Sequence, residues 1–436
     1  MDIRLPPDDD ERSALNDELH VYPYEPLFPP ERVISIVMHP SPEDRAQEVF
    51  HLQELCNHFG LDIPTGTMKP RLELGDLLVK IESHQEFTRY KFISPTERLP
   101  HEDKQDDDPF ARSPLALLPE GWLAGLPGRL LSALDIAILP HPEGASHQSL
   151  IERYSVHFDA SSLTASQVGR SKNLVLADFR IRDDGMTRLL ICSQARLPSQ
   201  VGRLVYRLIE VNTFRMLAML ALPKARSLGK KLPDADARLT ALTAAIAEGG
   251  KNDEQIMEEL TGLAAQVENM VASHYRRFSA AENHFDLVFE RLEQLEEKPI
   301  GAQPSLGSFL RRRLEPSQAT CKAVFHWLNQ LANRVSQASQ LLRTRIDVHN
   351  EKQTRAMLAA MNQRFQLQLR LQQAAELLSV AIFTYYAVNL LDYIYQELAL
   401  NLALSMSSLL FKAIAAPVLA IGALLFIRKL RKKRSL

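Results

Sequence analysis

Cysteine is scarce in this chain. Cys56, Cys192 and Cys321 stand far apart among 436 residues. An odd number at wide spacing gives neither a disulfide framework nor a zinc motif, and a reducing compartment fits. Aromatic residues make up 7% and are not interleaved with bases. No nucleic-acid motif accompanies them, so nucleic acid is not an expected partner. A phosphate loop, a dinucleotide turn, a nucleophile elbow and a convincing triad are all missing. The expectation is a protein that is not an enzyme and carries no cofactor. The first residues, MDIRLPPDDDER, form neither a signal peptide nor a transit peptide. Membrane insertion is then expected to be driven by a C-terminal hairpin.

The longest absence is of helix breakers. Between positions 317 and 416 there is neither Gly nor Pro. Apolar residues recur there at coiled-coil spacing: Val324, Leu328, Leu331, Val335, Ala338 and Leu342, then Leu358, Met361, Phe365 and Leu369. The reading is one helix over 317–391, on the order of 110 Å long at 1.5 Å per residue. Between the two apolar runs the seam turns polar. That stretch is either a wet section of a helical bundle or a solvated helix beside the body. A lone helix with such a seam leaves an apolar patch that normally finds a partner, so a homo-oligomer is expected.

Two segments near the end are apolar and long enough to cross a bilayer, 371–391 and 402–427. The intervening 392–401 carries Asp392 and Glu397 and no base, whereas the tail 428–436 carries six Lys or Arg. By the positive-inside rule the tail and everything before 371 are cytoplasmic, with an outer loop at 392–401. The chain is thus expected to be multi-pass, with the bilayer as a partner and both termini cytoplasmic.

The rest of the chain reads as a soluble body. Residues 1–32 are an irregular arm rich in Pro and acid. A domain of mixed strands and helices, α+β or α/β, spans 33–197. Strands are expected at 33–38, 77–82, 87–93, 134–139, 150–157, 174–181 and 188–193. The Asp-Gly at 184–185 marks the clearest hairpin turn. Residues 42–59 read as an amphipathic helix with Pro at its start and Gly60 past its end. A helical hairpin region follows at 198–312, then a stalk helix at 313–370 and the first span at 371–391.

This order of parts resembles the CorA-type magnesium channels, which assemble as pentamers around the stalk and first membrane helix. The resemblance implies Gly-Met-Asn at the outer end of that helix. Here Tyr386, Ala387, Val388 and Asn389 stand there, keeping the Asn alone. Gln396, Glu397 and Leu398 stand where that family often has Pro-Glu-Leu. The segments HPSPEDRAQEVFHLQELCNHFG and ESHQEFTRYKF are similar to a bacterial family of membrane-anchored proteins of unassigned function. These resemblances imply an inner-membrane protein, either a divalent cation channel with magnesium as cargo, or a sensor derived from one. The alternative is a membrane-anchored structural or interaction protein on the same scaffold.

The candidate pore face follows from helical spacing: Leu378, Ile382, Tyr386 and Asn389. Five amide oxygens at Asn389 would hold a hydrated magnesium ion, and apolar rings below would gate. An Asn at headgroup level that bonds water or a neighbouring helix is the competing reading. Asp392 and Glu397 would form an acidic rim, or simply be solvated. Lys412 is either a buried membrane charge facing away from a pore, or sits near the outer surface paired with Asp392 or Glu397. In the body, Glu82, His84 and Glu86 alternate onto one strand face, for a ligand or as an ordinary polar face. His51 and His58 lack the i, i+4 spacing of a helical metal pair.

Overall fold

The computed structural model describes residues 9, 11–12, 16, 24–62, 70–99, 108–248, 253–402 and 407–434, with side chains except at 397–402, 427–428 and 430–434. The chain divides into two compact units, Met1–Ala338 and Ser339–Leu436.

The first unit is built on a mixed sheet of nine strands among the described residues, in the order β2-β3-β4-β1-β5-β8-β7-β6-β9. The strands are β1 (Glu31–His39), β2 (Arg71–Leu74), β3 (Leu77–Ser83), β4 (Thr88–Pro95), β5 (Arg129–Pro140), β6 (Thr164–Val168), β7 (Asn173–Ala177), β8 (Thr187–Ser193) and β9 (Lys298–Pro299). Every pair is antiparallel except β5 with β8. Strong helices accompany the sheet, so the class is α+β. The β7–β8 turn is longer than a two-residue hairpin: Arg182 and Met186 close it around Gly185, which has φ +80°.

Both faces of the central strands are covered. Ile34, Ile36 and Met38 of β1 join Val79, Ile81, Tyr90 and Phe92 in one core. Leu55 and Cys56 of α1 (Pro42–Phe59) cap it, together with Trp122. Helix α1 begins where expected because Ser41 and Asp44 form a reciprocal capping box. It ends at Gly60 in the left-handed conformation. The opposite face lies under α3 (Pro198–Met219), where Val37, Phe87 and Leu217 cluster.

The strand expected at 150–157 is instead α2 (His147–Tyr154) followed by a short 3-10 turn. Leu150, Ile151 and Tyr154 form one buried helix face, and the Ser146 side chain accepts from the N–H of Ser149 at its start. The expected hairpin at 198–312 is three helices: α3, α4 (Ala221–Glu248) and α5 (Asp253–Gln294). Within the arm 1–32, Tyr24, Glu25 and Leu27 meet α3. Leu27 donates its N–H to Pro198 O, and Gly202 lies so close that a Cβ would stand 1.8 Å from Glu25 O.

Helix α6 (Leu306–Leu402) starts earlier than the stalk expected at 313, with Pro316 inside it. Its first turn is held by Glu297. The N–H of Gly307 donates to both carboxylate oxygens at 3.0 Å, and Ser305 and Ser166 donate their hydroxyls. A Cβ at Gly307 would sit 2.2 Å from Glu297 Oε1, so a larger residue there would require the carboxylate to shift. Pairing of β9 with β6 places Glu297 there.

The expected outer loop at 392–401 is helical, and α6 runs on to Leu402. This stretch holds neither Gly nor Pro, and Gln396, Glu397, Leu398, Ala399 and Leu400 in its second half are good helix formers. The second apolar helix, α7 (Ser408–Arg434), begins six residues after the expected start at 402 and carries Pro417 within it. Part of α6 up to Gln396 and the Ser408–Phe426 part of α7 are long and apolar enough to cross a membrane.

Candidate functional site

The polar residues singled out near the apolar helices do not share one environment. Asp392 is 4% exposed. It accepts from Ser408 Oγ at 2.7 Å and from Gln396 Nε2 at 2.9 Å, and pairs with Lys412 Nζ at 2.9 Å. Of the two settings open to Lys412, the structure selects the pair with Asp392. Tyr395 of α6 stacks on Phe411 of α7 with ring centroids 4.5 Å apart. Asn389 lines a cleft of about 580 Å³ between α6 and α7, and Lys412 lines the same cleft. Leu378, Ile382 and Tyr386 lie exposed on the surface of α6. The expected pore set is thus divided: Asn389, itself exposed, borders the cleft beside α7, Asp392 is bonded to Ser408 and Lys412 of α7, and the other three lie exposed outside the cleft. The side chain of Glu397 lies outside the described residues.

The body holds a second polar centre, on the sheet face under α3. Glu82 is buried, with Arg89 Nη1 at 2.9 Å and Lys91 also paired to it. Lys91 lies 5.4 Å from the centre of the Tyr206 ring of α3. Lys80 pairs with Glu25 of the arm at 3.1 Å. Burial works to raise Glu82, but Lys91 and Arg89 hold it below the usual carboxylate range. Burial pulls Lys91 down to about 8 against the same carboxylate. The alternation that put Glu82, His84 and Glu86 on one face does not make one site. His84 stacks on Phe87, and Glu86 reaches Arg277 of α5 at 3.3 Å. His51 stacks on Trp122 at 4.6 Å between centroids. Among the described residues no group of three or more His, Cys, Asp or Glu could hold a metal ion.

A third centre was not foreseen. Arg32 is buried and paired with Asp135. It donates to the backbone carbonyls of Pro109 and Arg112, and its guanidinium lies 5.3 Å from the Phe110 ring centre. Arg188 lies 5.0 Å from the same ring. Beside this bracket is a cleft of about 290 Å³, lined among others by Thr96, Asp108, Arg112 and Arg153. The sequence offered one signal for these centres: charges on strands that are otherwise apolar. On a strand such charges usually mean a solvated face, and only the covering helix tells otherwise.

Comparison with known families gives one match. The sequence profile described as "Protein of unknown function (DUF3422)" matches residues 7–434. No curated protein matches the chain.

Proposed function

The chain belongs to the DUF3422 family, and from that premise we propose that it is a membrane-anchored interaction protein. In this reading α6 and α7 form a transmembrane hairpin in a bacterial inner membrane. The α+β body and the basic tail stand on the cytoplasmic side, where the body serves as a binding surface. The observation that carries the reading is the state of Asp392. It is spent on Lys412, Ser408 and Gln396, so it is not available as an acidic rim. Asn389 shares its cleft with the Lys412 cation, an unfavourable neighbour for a cation path.

The second reading is the magnesium channel or a sensor derived from it. In its favour, Leu378, Ile382 and Tyr386 lie exposed on α6, as residues facing other copies in a ring would. Vesicle flux separates the two. Purified protein in liposomes is expected to pass no magnesium at any internal concentration. Magnesium uptake that Asn389→Ala abolishes, with assembly intact, overturns the anchor reading and installs the channel. A reporter fused after Leu436 is expected to be active in the cytoplasm; its export would overturn the orientation.

A further inference from the structure

The α6–α7 cleft is graded from one end to the other. At the end near Asp392 stand Asn389 and Lys412. At the far end are Leu377 and Leu424, and between them the α7 wall is Ala416 and Ala420. Two alanines four residues apart share one helix face. Small residues normally let helices close onto each other. Here the cleft keeps about 580 Å³ open. From position 377 to 389 it runs about 18 Å along the helix. That compares with one leaflet's share, about 15 Å, of a hydrocarbon core. The volume spread over that length gives a cross-section of about 30 Å², a width that a single hydrocarbon chain fits.

The polar end suits a charged head. An ammonium has three donors. Asp392 takes one at 2.9 Å, and the Lys412 side chain remains 44% exposed. Protons on that nitrogen remain for phosphate oxygens, and such charge-assisted bonds are the strong kind.

We propose that the cleft holds one acyl chain of a membrane phospholipid, its phosphate end at Lys412. The inference rests on the hairpin lying in the membrane, and the first arm of the test isolates that premise. Membranes carrying the protein are washed with alkaline carbonate. Release of the protein ends the membrane reading and this proposal with it. If the protein stays, it is reconstituted into vesicles of phosphatidylethanolamine and phosphatidylglycerol, re-extracted in mild detergent and weighed by native mass spectrometry. The wild type is expected to retain one phospholipid per chain. Ala420→Phe, which fills the cleft, is expected to lower that retention at least fivefold, and Lys412→Met to lower phosphatidylglycerol retention severalfold. Ile421→Phe, on an exposed face of α7, leaves retention unchanged, and circular dichroism checks that each variant is helical. A wild type that retains no lipid, or an Ala420→Phe protein that retains as much as wild type, overturns the site alone. Ala416→Cys chains that crosslink to each other while holding no lipid also overturn it, and give the cleft to a second copy.

Discussion

One helix, α6, carries the same apolar seam through two environments. Leu328, Leu331, Val335 and Ala338 are buried, Leu331 completely. Thirty residues on, Leu358, Met361, Phe365 and Leu369 repeat the spacing in the open, Phe365 at 60% exposure. The first run has company: Phe325 stacks on Phe278 of α5, Lys322 pairs with Glu282 at 3.2 Å, and Arg334 pairs with Asp236 of α4. The second run has Lys352, Arg355, Arg364 and Arg370 around it and no acid after Glu351 until Glu376. Periodicity therefore reports which face of a helix is apolar. Whether anything covers that face depends on what else the chain can bring to it.

The largest effect that sharpens this contrast is expected at Glu82. Glu82→Ala leaves Arg89 and Lys91 covered by α3 without their carboxylate. Removing one partner of a buried pair costs about 3–5 kcal/mol. A thermal melt of purified protein reads it, and a loss below about 1 kcal/mol would mean that the cover over this face is far looser than described. Leu331→Ala comes next, at about 2–4 kcal/mol, the usual cost of emptying a fully buried leucine site. Lys412→Met should destabilise by less than Leu331→Ala, because Asp392 keeps two neutral hydrogen bonds but loses its cation. Pairing it with Asp392→Asn should recover most of that loss. A double variant as unstable as the sum of the singles would show the two residues to be uncoupled.

Glu31 supplies the pH test. It is buried and accepts from the N–H of Phe28 at 2.8 Å, without an ion pair among the described residues. Burial pushes it up to about 7, against the pull of that N–H. A carboxyl raised on folding contributes stability that is complete below about 4.5 and lost as pH rises through 7. Glu31→Gln keeps the acceptor and removes the titration. It should gain about 1–2 kcal/mol at pH 8, a figure reduced for a carboxyl that still meets water. Melts between pH 4.5 and 7 should lose their slope in the variant; an unchanged slope assigns it to other groups. The smallest effect is the counterpart of Leu331. Leu358→Ala should change stability by less than about 0.5 kcal/mol. A loss as large as that of Leu331→Ala would break the comparison, because the open seam would then be covered in solution.

Much of the body was legible where a local rule decides. The run VISIVM gives β1, and Ser41, Asp44 and Gly60 bracket α1 by capping chemistry alone. The segments around 77–93 pair as read. Legibility failed where a distant element decides. The apolar residues at 150–157 pass for a strand until Leu150, Ile151 and Tyr154 are packed as one helix face on Ala137, Leu174 and Leu190 of the sheet. Strands β2, β6 and β9 are short and take their place from partners, β9 from β6 across more than a hundred residues. Lys80, Glu82, Arg89 and Lys91 read as a wet strand face until α3 is laid over them. At the other end, the pairing of Asp392 with Lys412 was open to reading from charge alone. That Asp392 sits within a helix and not in a loop was not, because an acid beside two tyrosines serves either.

The Glu297 cap has a mechanical side. A shaft transmits twist only if one end is seated. Here the seat is a carboxylate gripping the Gly307 N–H of α6, on the residue just before a strand stitched to the sheet edge by two residue pairs. Torque on the helix therefore loads β9 and β6 first. The fitting is keyed by Gly307, and a bulkier residue there would have to push the carboxylate aside before the shaft could seat.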